Sequence, residues 1–254
     1  MSDLEVVRIG AGPPVLLVHG SVVGAELTWR SQRELAERWL LIIPNRPGFG
    51  ASPPLERPDF ELEAPLFAEL LGEGAHLVGH SYGAVIALFA AALRPEAVRS
   101  LVVSEPGSLA VAAGVPEVDE MIANGETLYS DPAAITPAAF LRMFRAGAGS
   151  ARGTPGELPE SLARGVELLR RERPPWEAEI PLDALAAAAF PKLVISGGHS
   201  SVFDTVCDSL AAAIGAERAV IAGRGHTIPS VGTTYNERLE AFMSTAERAR
   251  RPDR

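Results

Sequence analysis

Between the apolar run Ala75–Val78 and the long apolar stretch Ala84–Leu93, the chain reads Gly79-His80-Ser81-Tyr82-Gly83. A G-x-S-x-G between a strand and a helix is a nucleophile elbow. The outer glycines have no Cβ, so the chain can turn sharply enough to hold the serine in a strained conformation with its Oγ exposed above a sheet. A chain with 24 glycines will sometimes produce these five residues by chance. Here they fall where a short buried strand stops and an Ala-rich helix pattern starts, which is the context the motif requires. Ser81 is therefore the candidate nucleophile.

The pattern around the elbow repeats along the chain. Val15–Val18 is a short buried strand running into His19-Gly20-Ser21, and Leu40–Ile43 is another, running into Pro44-Asn45-Arg46-Pro47-Gly48-Phe49-Gly50. Helix patterns are expected at about Trp29–Arg38 and Ala64–Leu71, then after Ser81, followed by a strand at Ser100–Val103. Strands that read as continuous Val/Leu/Ile runs and alternate with helices predict an α/β fold, a mostly parallel sheet covered by helices on both faces. From about Pro106 to Leu182 the strand signal gives way to Pro and Gly punctuation, with helical pieces near Val118–Ala123, Pro137–Arg145 and Leu158–Arg171. We expect residues 1–105 and 183–254 to form the core and residues 106–182 an inserted helical lid. The sheet resumes with Lys192–Ser196, a helix at about Phe203–Ile214, a strand Arg218–Ile221 and a last helix at about Tyr235–Arg248; Arg250–Arg254 reads as a solvated tail.

At 254 residues with 47% hydrophobic positions the chain can bury a full core, which suits one domain carrying an insertion. No apolar run approaches the roughly 18 residues of a membrane span, and Met1–Arg8 lacks a signal-like apolar block, so a cytoplasmic protein is expected. A net charge of −9 argues against a nucleic-acid partner, which would need a basic face to neutralise phosphates. The partner expected is a small-molecule substrate; the oligomeric state is left open. The single cysteine, Cys207, cannot form an internal disulfide, and its apolar helical setting predicts a small buried residue.

A serine hydroxyl is a poor nucleophile at neutral pH and needs a base within hydrogen-bond reach and a third group to orient that base. Of the five histidines, His226 is best placed, because Gly223-Arg224-Gly225-His226 follows the last strand and such loops gather at the carboxyl ends of a parallel sheet. His19 and His80 each adjoin a motif glycine and are expected to support its turn, His76 to be peripheral, and His199 to approach the site without serving as base. For the acid, the loop after Ser196 reads Gly197-Gly198-His199-Ser200-Ser201 and has no carboxylate where an aspartate is often carried. Asp204 lies further on, where it is expected to cap a helix. Glu105 is the alternative: it ends the strand that should lie between those of the serine and the histidine, and Pro106 stops the chain there. The backbone N–H groups of Ser21 and Tyr82 are the candidate oxyanion donors, a role in which side-chain identity should matter little.

With His19-Gly20, Pro47-Gly48-Phe49-Gly50-x-Ser52, Gly79-x-Ser81-x-Gly83 and Gly225-His226 in that order, the chain resembles the α/β-hydrolase fold superfamily across its whole core. The resemblance implies a Ser-acid-His triad, a backbone oxyanion hole and a helical cap after the sixth strand. Some branches, zearalenone-type lactonases among them, place a glutamate at the end of that strand, where Glu105 stands. Dehalogenases and epoxide hydrolases of this fold carry aspartate at the elbow, which Ser81 argues against. The expected activity is hydrolysis of a carboxylic ester or lactone of a small apolar substrate through an acyl-enzyme, with no metal or organic cofactor. The alternatives are a carbon-carbon bond hydrolase or perhydrolase using the same serine, or a non-catalytic ligand binder. Val22, Val23, Trp29 and Tyr82 are candidate pocket residues, and Met121, Phe140, Met143, Phe144 and Trp176 could face the pocket from the lid.

Overall fold

Strand order explains where a site can form. The computed structural model describes residues 4–149, 153 and 156–250. In it β1 (Val6–Ile9), β2 (Pro14–Val18), β3 (Leu40–Pro44), β4 (Ala75–His80), β5 (Val98–Ser104), β6 (Lys192–Ser196) and β7 (Glu217–Val220) make one seven-stranded sheet. Its order is β1-β3-β2-β4-β5-β6-β7, with only the β1–β3 pair antiparallel. The chain leaves β2 for β3 on one side and returns to β4 on the other, so the crevice outside the carboxyl ends of β2 and β4 is the topological switch point where ligands bind in such sheets.

The central strands are buried on both faces, as their unbroken apolar sequences require: every residue of β4 and β6 is buried. Two apolar clusters cover the two faces. One gathers α2 (Phe60–Leu70), α3 (Tyr82–Leu93) and α8 (Ser201–Ile214) against residues such as Leu16, Leu77, Leu101 and Val194. The other sets α9 (Thr233–Arg250) and the segment Ala25–Trp39 against Val15, Leu41, Val78 and Ile195. Helix α3 follows the elbow directly and is buried around almost its whole circumference, so its run of Ala, Val, Ile and Leu shows no amphipathic stripe.

The sequence expectation differs from the structure at several points. β1 is an additional edge strand: its two middle residues are exposed, and neither alternation nor an apolar run marked it. It makes the strand ending at Glu105 the fifth of this chain, where the resemblance counts the sixth. The helix expected at Trp29–Arg38 is a short α1 (Ala25–Thr28) followed by a 3-10 helix, Arg30–Glu37. His76 is not peripheral; it lies within β4, fully buried, bonded to Ser100 Oγ at 2.7 Å and 3.3 Å from the Glu247 carboxylate. Cys207 is buried in α8, and burial pushes its thiol pKa up. The parts of the leader and tail readings that concern residues 1–3 and 251–254 lie outside the described residues.

Between β5 and β6 come α4 (Pro116–Ser130), α5 (Pro137–Gly147), α6 (Glu160–Leu169) and α7 (Leu182–Ala187), with no strand among the described residues there. Leu128 of α4, Phe140 of α5 and Leu169 of α6 form a small core of their own, against which Val22 packs. Val118 of α4 packs with Val202 and Val206 of α8. Helix α6 meets the loop after β2 so closely that a Cβ on Gly165 would lie 1.8 Å from the Val22 carbonyl oxygen. Among the described residues no helix is long and apolar enough to cross a membrane.

Candidate active site

Sheet register puts the serine and the glutamate side by side. His80 pairs with Ser104 in the β4–β5 ladder, and the ladder continues one residue further with Ser81 N–H donating to the Ser104 carbonyl at 2.9 Å. Glu105 N–H in turn donates to the Ile195 carbonyl at 2.9 Å. Both residues thus stand at the carboxyl ends of adjacent strands, and both leave the sheet in strained backbone, Ser81 at φ +55° and Glu105 at φ +48°. With Val22 at +74° they are the only non-glycine residues with positive φ among those described; Val22 and Ser81 line one crevice, and Glu105 reaches it through His226. Such conformations cost on the order of 1–3 kcal/mol each and persist where surrounding structure holds them. Here the elbow's glycines allow that hold: a Cβ on Gly83 would lie 2.3 Å from the His19 carbonyl oxygen, and one on Gly79 2.6 Å from Ala84 Cα.

His226 arrives from the loop after β7 and joins the two. Its Nε2 is 2.9 Å from Ser81 Oγ, and its Nδ1 is 3.0 Å from Glu105 Oε2. Because a carboxylate oxygen accepts, the ring places its proton on Nδ1 and offers Nε2 as acceptor to the serine hydroxyl. The other oxygen, Glu105 Oε1, accepts the Gly197 N–H at 2.5 Å, so the fully buried carboxylate is fixed at both ends. The histidine loop is pinned from beneath by the elbow itself: His80 Nε2–H donates to the His226 carbonyl at 2.7 Å. Burial lowers the His80 pKa to about 4, so it stays neutral at ordinary pH. His19 is a turn support of the same kind, its Nδ1–H donating to the Gly20 carbonyl at 2.8 Å while Nε2 accepts the Arg46 N–H at 2.9 Å. Burial, then the Arg46 charge, lower its pKa to about 3.

The loop Gly20–Val23 faces the serine. A Cβ on Gly20 would sit 3.0 Å from Ser81 Cβ, which shows how closely this backbone approaches. Tyr82 is the first residue of α3, and its N–H has no intrahelical acceptor. The Ser21 side chain has a partner that sequence reasoning missed: its hydroxyl donates to Glu172 Oε2 at 2.5 Å. Glu172 lies in the segment between β5 and β6, is buried, and pairs through Oε1 with Arg46 Nη2 at 2.9 Å. Arg46 also forks onto Glu63 with two contacts of 2.8 Å and donates to the Gly20 carbonyl at 3.1 Å. Its guanidinium stacks 4.3 Å above the Tyr82 ring. Burial raises the Glu172 pKa against the opposing pull of Arg46. Two carboxylates and one guanidinium out of water thus brace the loop that carries Ser21. Glu172 escaped notice because it sits in Arg170-Arg171-Glu172-Arg173, a charged run that reads as solvated surface.

Two cavities meet at Ser81 and His226. One, about 620 Å³, is lined mainly by apolar side chains, among them Leu109, Met121, Leu128, Phe144, Trp176 and Phe203. The other, about 430 Å³, takes in Ser21, Val22 and Val23. Met143 also lines the larger cavity, whereas Phe140 is fully buried in the small core between α4, α5 and α6. Trp29 lines neither cavity; it is 1% exposed and packs in the core beneath α1, which corrects its assignment to the pocket. The Tyr82 ring is likewise turned into the core, against Phe60 and Arg46.

Asp204 is held away from the histidine. Its carboxylate takes the Ser196 hydroxyl and lies 3.5 Å from Arg218 Nη2, and the cap of α8 is the Ser200 side chain instead. His199 does approach: Nε2–H donates to the Ala148 carbonyl at 3.1 Å, and Nδ1 lies 3.8 Å from Glu105 Oε1. Glu105, His199 and His226 each offer one ligand atom within 4.8 Å of the others, a donor set that a divalent ion such as zinc accepts. Such an ion would use the atoms that now hold His226 to Glu105.

Residues 15–241 match the model of the Alpha/beta hydrolase family. Among curated relatives, a pimeloyl-(acyl-carrier protein) methyl ester esterase of Chromobacterium violaceum is 37% identical over 99 residues, 39% of either chain. Lipase LipV of Mycobacterium tuberculosis is 34% identical over 138 residues, 52% of either chain. The matches thus span between two fifths and about half of the length of these relatives. An alpha/beta hydrolase from Sphaerobacter thermophilus has the same fold, with a TM-score of 0.68 at 22% identity, over 92% of this chain and 95% of that one.

Proposed function

The chain belongs to the alpha/beta hydrolase family, and from that membership and the geometry of the crevice we propose that it is a serine hydrolase of carboxylic esters or lactones. One observation carries the reading: Ser81 Oγ, the His226 ring and the Glu105 carboxylate form a continuous chain of contacts at 2.9 and 3.0 Å. The relatives named as esterase and lipase support the same reaction class.

In this reading Ser81 Oγ attacks the substrate carbonyl carbon as its proton passes to His226 Nε2, and Glu105 holds the resulting imidazolium in place. The carbonyl oxygen becomes an oxyanion met by the N–H groups of Ser21 and Tyr82. The intermediate collapses by breaking the bond to the leaving oxygen, which takes the proton from His226 and departs as the alcohol. A water then gives its proton to His226 and attacks the acyl-serine carbonyl, and collapse returns the proton to Ser81 Oγ and releases the acid. Residues 106–182 act as the lid, whose Met121, Met143, Phe144 and Trp176 receive the apolar part of the substrate. A panel of acyl esters, lactones and thioesters, with Ser81→Ala protein as blank, tests the proposal. Turnover of esters or lactones that vanishes in the variant supports it, and turnover that persists in the variant contradicts it.

A further inference from the structure

Behind the catalytic histidine stands one group that the hydrolase reading leaves unused. His199 Nε2–H donates to the Ala148 carbonyl at 3.1 Å, and a carbonyl only accepts, so in the neutral ring Nδ1 carries a lone pair. That Nδ1 atom is buried, has no hydrogen-bond partner among the described residues, and stands 3.8 Å from Glu105 Oε1. Two acceptors thus face each other out of water with no positive charge between them. Gly197 lets the ring come this near: a Cβ there would lie 3.0 Å from His199 Nδ1, and its N–H holds Glu105 Oε1. On the other side of the carboxylate, His226 Nδ1 lies 3.0 Å from Oε2, and the three residues offer ligand atoms that all lie within 4.8 Å of one another.

We propose that Glu105, His199 and His226 form a zinc site, and that the ion inhibits the enzyme instead of serving as its cofactor. The inhibition rests on the serine hydrolase reading; the binding does not. Tetrahedral zinc with bonds of about 2.1 Å sets its ligand atoms about 3.4 Å apart, and the two separations from Glu105, 3.0 and 3.8 Å, fall on either side of that spacing. Two imidazoles and a carboxylate favour zinc over magnesium or calcium, and three protein ligands leave the fourth position to water. The Ala148 contact is the kind of outer partner that fixes the tautomer of a metal-binding histidine. His226 lines both cavities and gives the ion its route. To bind the ion, His226 Nδ1 gives up its proton and the neutral ring carries it on Nε2, which can then no longer accept the proton of the Ser81 hydroxyl. Zinc thereby replaces the His226–Glu105 bond that hydrolysis needs.

The test reads binding and turnover separately. Full-length Ser81→Ala protein is titrated with zinc while the histidine rings are followed by long-range proton–nitrogen NMR. The His199 and His226 signals should move before those of His19, His76 and His80, the His226 proton should pass from Nδ1 to Nε2, and the melting temperature should rise with zinc. His199→Phe, made in the same background, should weaken zinc binding at least about tenfold, the loss that removing even an outer partner of a metal ligand brings. On a chromogenic ester, zinc should lower the rate of the unsubstituted protein at least about tenfold and a chelator should restore it; the His199→Phe enzyme, referred to its own chelator-treated rate, should need at least about tenfold more zinc for the same inhibition. Zinc that leaves the His199 and His226 rings unmoved overturns the proposal, as does binding undiminished in a His199→Phe protein that melts cooperatively; if that variant does not fold, the ring signals of the Ser81→Ala protein decide. Binding at these rings with an undiminished ester rate overturns the inhibition. Binding there in a protein that cleaves no ester leaves the metal site standing and counts against the hydrolase reading instead.

Discussion

Glu105→Gln is the substitution whose consequence the geometry defines most sharply. The carboxylate accepts the Gly197 N–H through Oε1 and holds His226 Nδ1 through Oε2. An amide fills the same volume but can accept on one side only. If its oxygen keeps Gly197, its NH2 faces His226 Nδ1, which must then act as acceptor; the ring proton moves to Nε2 and can no longer take one from Ser81. The equivalent amide substitution in a serine protease triad lowers kcat about 10⁴-fold, which corresponds to about 5 kcal/mol of barrier. We expect a kcat loss of 10³- to 10⁴-fold with KM within a few-fold, since no substrate contact is removed. Glu105→Asp withdraws the carboxylate by about 1.5 Å and should lose nearly as much, because the bonds at both ends cannot be kept. Steady-state kinetics on a chromogenic ester read the effect, and a thermal melt controls for folding. Asp204→Asn is the counter-test: its carboxylate serves Ser196 and Arg218, so activity should stay within a few-fold. A Glu105→Gln enzyme within tenfold of the parent, or inactivation by Asp204→Asn instead, refutes the reasoning.

Other consequences follow from the neighbouring structure. Glu172→Ala frees the Ser21 hydroxyl and takes one partner from Arg46, so kcat should fall roughly 10- to 100-fold through a loosened loop; Glu172→Gln can keep both contacts and should stay within a few-fold in steady-state assays. Gly165→Ala should lower the melting temperature and the activity together, because overpacking against Val22 costs about 1–3 kcal/mol and exceeds the helix-propensity gain of up to about 1 kcal/mol; a raised melting temperature contradicts the packing. His19, His76 and His80 are held neutral, with pKa values lowered from 6.5 to about 3, 4 and 4. The unfolded chain takes up protons below pH 6.5 that the folded one refuses until about pH 4. Their stabilisation is therefore present above pH 6.5 and lost as pH falls toward 4, roughly 3 kcal/mol for each. Glu172, raised by burial, has the opposite sign. Urea midpoints should drop across that window, and His76→Asn should flatten the slope; a midpoint constant from pH 7 to 4 contradicts the assignment.

What the sequence made legible, and what it concealed, divides along physical lines. The parallel sheet was readable because β2, β3, β4 and β6 are buried on both faces and so write continuous apolar runs. Ser81 and His226 were readable because each sits in a glycine turn beside a strand end, a purely local signal. Glu105 needed one step of topology, the inference that its strand lies between those of the serine and the histidine, and the register places it there. β1 was hidden because an exposed edge strand of four residues needs little hydrophobic pattern. Trp29 misled because an aromatic residue near the oxyanion loop suits core and pocket equally, and only packing beneath α1 decides between them. Glu172 was invisible because its role depends on Ser21, 151 residues away, and nothing in a charged run marks the one carboxylate that turns inward.

The most direct test of the central claim is covalent labelling with a fluorophosphonate, followed by peptide mass mapping. An activated hydroxyl at the end of β4 predicts a single adduct on Ser81, absent from Ser81→Ala and formed at least a hundredfold more slowly in His226→Ala. An adduct on another residue, or labelling of Ser81 at an undiminished rate once the imidazole is gone, contradicts it.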